Sequence, residues 1–121
     1  MMCRGIRGAT TADANTKEAI VQATKELLRT LTTANGVQED QVASIFFTTT
    51  QDLTAEFPAV AARQIGWNDT PLLCGHEMNV PDGTPSVIRV LMLVNTSKRA
   101  RDISHKYLKG AQNLRERGAD L

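Results

Sequence analysis

Arg89 and Glu77 are the two residues from which chemistry can be argued first. Arg89 is the only charge in the run Val87-Ile88-Arg89-Val90-Leu91-Met92-Leu93-Val94. An arginine does not give up its proton, and burying one without an anion costs several kcal/mol or more, so something negative must meet it. Two partners are open. Glu77, which precedes the Pro81-Asp82-Gly83 turn, can form a structural ion pair with it. Alternatively, Arg89 faces an open pocket that awaits an anionic ligand. Arg7 is a second candidate cation. It lies in a strand-like stretch with Gly5 and Gly8 on either side, where a ligand or another backbone can come close.

Other chemistries find little support. The two cysteines, Cys3 and Cys74, form neither a disulfide framework nor a CxxC motif. The two histidines, His76 and His105, sit in no metal-ligand spacing, so a metal is not expected. No Ser/His/Asp or Cys/His arrangement stands at recognisable spacing.

These groups need elements to hold them. Cys3 to Thr11 reads as a strand. Asn15 with Glu18 suggests a helix start, and Ile20, Ala23, Leu27, Leu28 and Leu31 continue at helical spacing to Asn35-Gly36. A polar turn at 38–41 precedes a β-branched and aromatic strand, Ala43 to Thr50. Pro58 opens a short helix, AVAARQI, that carries Arg63 and ends at Gly66. The stretch from Pro71 to Val80 is the next strand. In a regular strand Cys74 and Glu77 point to opposite faces, and a bulge near Gly75 would bring them to one side. The Arg89 strand follows, then a basic link over 96–101 and a final strand, Ile103 to Ala111, with His105 and Tyr107 on one face. The fold class expected is α+β: a single mixed sheet of about five strands with one long and one short helix. One long helix covers one face only. The Arg89 strand is apolar on both, so the other face should pack against copies of the chain.

With 121 residues, 41% hydrophobic and 22% charged, the chain has the balance of one globular domain. Residues 1–115 are expected to form it, with 116–121 a flexible tail. No run reaches the ~18 apolar residues of a membrane span, and the N-terminus lacks the apolar core of a signal peptide, so a cytoplasmic protein without membrane contact is expected. The net charge is +1, yet residues 84–121 carry 8 Lys/Arg against 3 Asp/Glu. Aromatics are only 4%, and no nucleic-acid motif accompanies this basic third. A small polyanionic ligand fits better than a nucleic acid.

Taken together, the segments RGIRGATT (4–11), FPAVAARQIGW (57–67), CGHEM (74–78), IRV (88–90) and the pair Tyr107-Leu108 followed by Leu114-Arg115 resemble the monofunctional AroH-class, Bacillus-type chorismate mutases. The resemblance runs in order along nearly the whole chain. It implies a homotrimer with a pseudo-α/β-barrel core and active sites in clefts between subunits. It also implies rearrangement of chorismate to prephenate in aromatic amino-acid biosynthesis, a pericyclic step without cofactor.

By that resemblance Arg89 faces the ether oxygen, Glu77 accepts from the ring hydroxyl and faces the developing positive charge, and Arg7 holds a carboxylate. Tyr107 would bind a carboxylate, Cys74 would lie near the hydroxyl, Phe57 would form a cleft wall, and Leu114 would belong to the cover. Arg63 and Arg115 would draw in the dianion at the mouth. The chain departs from the family pattern at Val60, where a lysine can stand, at Ile65-Gly66, which is one residue shorter, and in its short tail. Two other functions use similar geometry: a trimeric imine deaminase, and a non-catalytic sensor of a carboxylate metabolite.

Overall fold

In the computed structural model, which describes residues 1–114, the strands follow from alternation and the helix from a stripe of leucines. Five strands, β1 (Met2–Thr11), β2 (Val42–Thr49), β3 (Leu72–His76), β4 (Val87–Thr96) and β5 (Lys106–Tyr107), make one sheet in the order β3-β2-β4-β1-β5. It is mixed: β4 is antiparallel to both β1 and β2, while the outer strands β3 and β5 run parallel to their neighbours. Parallel neighbours need crossovers. Residues 50–71, with the short helix, make that crossover between β2 and β3; because β2 lies between β3 and β4, residues 77–86 lead past it, and Glu77 and Arg89 are not on hairpin partners.

The long helix α1 (Lys17–Asn35) covers one face. Ile6, Ile45, Phe47, Ile88, Met92 and Val94 point to it and are almost wholly buried, as are Leu27, Leu28 and Leu31 of the helix. Gly8 lets the helix sit close, since an added Cβ would stand 2.9 Å from Leu31 Cδ1 and 3.0 Å from Leu27 Cδ1. The helix begins one residue later than its Asn15 signal suggests. Thr16 is the N-cap, its side chain accepting from the Ala19 N–H, while Asn15 Oδ1 accepts from Thr54 and Ala55 N–H groups. At the other end Gly36 takes the left-handed conformation, φ 62°. The short helix α2 (Ala59–Gln64) packs against α1 and β3.

The opposite face of the sheet is bare at its centre. Leu91 is 39% exposed, Phe46 38% and Leu73 61%. Leu91 on β4 stands opposite Phe46 on β2, which stands opposite Leu73 on β3, so β4 is apolar on both sides and, among the described residues, α1 covers one of them. Asp52 fixes the crossover: its Oδ2 accepts from Ser86 N at 2.9 Å and from Ser86 Oγ at 3.1 Å, and Ser86 itself has φ 58°.

Two outer strands are shorter than their sequence signals. β3 ends at His76 because β2, its only partner among the described residues, runs out at Thr49, and β5 keeps two residues before a 3-10 turn at Lys109–Ala111. No helix of the described residues is long and apolar enough to cross a membrane.

Candidate functional site

Strand register assembles the first group of residues. Tyr107 is paired with Ala9, Ala9 with Arg89, and Arg89 with Thr48, which makes one row across β5, β1, β4 and β2 on the face away from α1. Arg7 stands on the same face, opposite Leu91 and thus one step along from Ala9. Ala9, between Tyr107 and Arg89 in this row, is fully buried. Just past the end of β3, Glu77 turns toward this row, and its Oε2 lies 3.0 Å from Arg89 Nε. The contact is an ion pair. Thr48 Oγ1 donates to the same Oε2 at 2.6 Å.

This pair lines a cavity of about 860 Å³ whose wall also includes Thr48, Val87 and Leu114. The side chains of Arg89 and Glu77 are 25% and 16% exposed, so both are largely desolvated yet reachable. An ion pair so placed is worth more than on an open surface. It presents a cation and an anion side by side, which suits a ligand or transition state in which opposite charges separate. Leu114, 3% exposed, packs with Ala9, Val87 and Ala111, and Tyr107 leans on that cluster. His105 Nδ1 accepts from the Arg7 backbone N–H at 2.9 Å, which holds β1 where Arg7 departs.

Phe57, Cys74 and Arg63 are elsewhere. β3 pairs with β2 in unbroken register from Leu72 to His76, so there is no bulge at Gly75. Cys74 consequently lies opposite Phe47 on the face toward the helices. It lines a separate cavity of about 290 Å³ with Phe57, Thr49 and His76. Burial pushes the Cys74 thiol above its ordinary pKa, against a weaker lowering effect of the Ala59 backbone, which keeps it a thiol at neutral pH. Phe57 is 67% exposed. Arg63, exposed on α2, donates from Nη1 to the Trp67 carbonyl at 2.6 Å. Arg115 lies outside the described residues.

The candidate residues therefore fall into two walls on opposite faces of one sheet. Each wall lines its own cavity. Among the described residues no group of three or more His, Cys, Asp or Glu could hold a metal ion. Sequence reasoning missed Thr48 and the Asp52–Ser86 contact; both sit in or beside a TTTQD stretch that shows no helical or strand-end signal of its own.

The family model described as "Chorismate mutase type I" matches residues 3–117. A chorismate mutase AroH of Thermus thermophilus is 51% identical over 115 residues, covering 94% of this chain and 94% of that protein. The Bacillus subtilis chorismate mutase AroH is 42% identical over 116 residues, 95% and 91% of the respective chains. A solved chorismate mutase from Clostridium thermocellum superposes with a TM-score of 0.88 at 50% identity, over 89% of this chain and 96% of that one.

Proposed function

The chain belongs to the type I chorismate mutase family and is a chorismate mutase, an isomerase of aromatic amino-acid biosynthesis, and from that premise we propose how its residues carry the rearrangement. The reaction of chorismate to prephenate breaks an ether C–O bond while a C–C bond forms. Negative charge grows on the departing oxygen and positive charge on the ring, so the catalyst must hold the compact conformer and oppose each charge with its complement. The observation that carries the assignment is the Glu77–Arg89 pair, 3.0 Å apart on the wall of a cavity. Arg89 stabilises the ether oxygen. Glu77 accepts from the ring hydroxyl and faces the positive ring. Arg7 and Tyr107, on the same sheet face, take the substrate carboxylates, and Leu114 closes the space behind them.

Phe57, Cys74 and Arg63 complete the site from a neighbouring subunit. Two features support this: these residues occupy the other face of the sheet, and the bare Phe46, Leu73 and Leu91 surface calls for a partner. We read the assembly as a homotrimer with a pseudo-barrel core, one domain per chain over residues 1–115, working in the cytoplasm. Arg115 joins Arg63 at the mouth, where both draw in the dianion.

The test is to follow the loss of chorismate's ultraviolet absorbance with purified protein and no added cofactor, beside an imine substrate. Conversion to prephenate is the expected result. Turnover of the imine alone would replace the mutase by a deaminase, and a raised melting temperature with chorismate left intact would replace it by a sensor.

A further inference from the structure

Glu77 stands one residue beyond β3, where no strand pairing fixes it. Its backbone is tied to the end of β2 instead, the N–H donating to the Thr49 carbonyl at 2.8 Å and the carbonyl accepting from Gln51 Nε2 at 3.4 Å. These bonds hold the main chain and leave the carboxylate to be aimed by side chains. Thr48 supplies the aim. Its hydroxyl reaches Glu77 Oε2 at 2.6 Å, the length of a charge-assisted O–H···O⁻ bond, and it stands opposite Arg89 on the same cavity wall.

We propose that Thr48 is a positioning residue for the rearrangement, holding the Glu77 carboxylate toward the ring. The physical reason lies in the shared oxygen. Glu77 Oε2 takes the Thr48 hydroxyl at 2.6 Å and Arg89 Nε at 3.0 Å. Without the hydroxyl the Arg89 contact alone orients the carboxylate. The anion is then drawn toward the cation and off the ring. Threonine suits the task because its branched Cβ restricts χ1, so its hydroxyl is aimed with little entropy cost. The loss falls on kcat, since the carboxylate-binding groups Arg7 and Tyr107 belong to other strands.

This inference rests on the role given to Glu77 above, and the experiment separates the two. Thr48→Val, nearly isosteric and at a half-buried strand position, and Thr48→Ser are compared with wild type, each also in a Glu77→Ala background, with melting curves for all. Thr48→Ala replaces the valine variant should the latter not fold. Removing a hydrogen bond to a charged group should lower kcat about 10- to 100-fold with KM within about 3-fold, while Thr48→Ser restores most of it. In the Glu77→Ala background Thr48→Val should change kcat by less than about 2-fold, because the partner through which it acts is gone. Thr48→Val with wild-type kcat, a serine variant no better than the valine one, or an equal loss in the Glu77→Ala background would each overturn the proposal. A fully active Glu77→Ala protein would remove the role of Glu77 along with it. A slow Glu77→Ala protein beside a fast Thr48→Val one would remove Thr48 alone.

Discussion

If each site takes Arg89 from one subunit and Phe57 from the next, two inactive variants must rescue each other when their subunits are mixed. Arg89→Ala disables the first wall. Phe57→Asp disables the second, because Phe57 is 67% exposed and its replacement disturbs little of the core while placing an anion against a dianionic substrate. At ~5 Å and an effective dielectric of ~20, each like-charge contact costs about 3 kcal/mol, so each parent should retain ~1% of wild-type kcat/KM or less. Subunits mixed in equal amounts, dissociated and reassembled at random pair an intact Arg89 wall with an intact Phe57 wall at about one interface in four. The chorismate absorbance assay should then recover roughly a quarter of wild-type activity from two near-silent parents. The count depends on the two walls lying on opposite faces of the sheet, as the register of β2, β3 and β4 puts them. Activity in the mixture no greater than the mean of the parents would refute the shared site, since a site built within one chain gains nothing from mixing.

Three further outcomes are open to direct measurement. Arg89→Lys should lose ~10²-fold or more in kcat, because lysine puts a methylene where Nε meets Glu77 and has no planar fork; a loss under ~10-fold would argue against guanidinium geometry. Gly8→Val pushes methyls into Leu27 and Leu31 and should cost about 1–3 kcal/mol, read as a lower melting temperature; an unchanged melting temperature would mean the helix moves away freely. The Thr50 side chain, then Asp52's own backbone N–H and the Ser86 bonds, against opposing burial, hold the Asp52 carboxyl below its ordinary value of 3.8. Its contribution is therefore present above that pH and fades as pH falls through the lower folded value. Asp52 is exposed, so Asp52→Asn should cost at most about 1 kcal/mol at neutral pH, with the gap to wild type closing in acid. A gap that persists at low pH would assign the effect to something other than the charge.

Much of this could be read from the chain alone, and the exceptions have local causes. Leucines at helical spacing defined α1, whereas Asn15 passed for its cap because Asn and Thr both cap helices and only the long-range bonds to Thr54 and Ala55 decide between them. The Arg89 run announced a strand with an anion beside it, and Glu77 is there. The length of β3 depends on where its partner stops, which no property of residues 77–80 reveals. A bulge at Gly75 was a natural way to unite Cys74 with Glu77, but the register is regular and the union, if made, comes from another copy of the chain. Thr48 was hidden in a run of three threonines. Only pairing with β4 shows which of the three faces Arg89.

The central claim is that Arg89 is a preorganised cation for the breaking ether bond, and its most direct test is kcat for chorismate with Arg89→Ala beside wild type, both checked for folding by circular dichroism. A well-folded variant slowed ~10²- to 10³-fold is the result this account predicts. A folded variant as fast as wild type would contradict it and leave the Glu77–Arg89 pair a structural contact only.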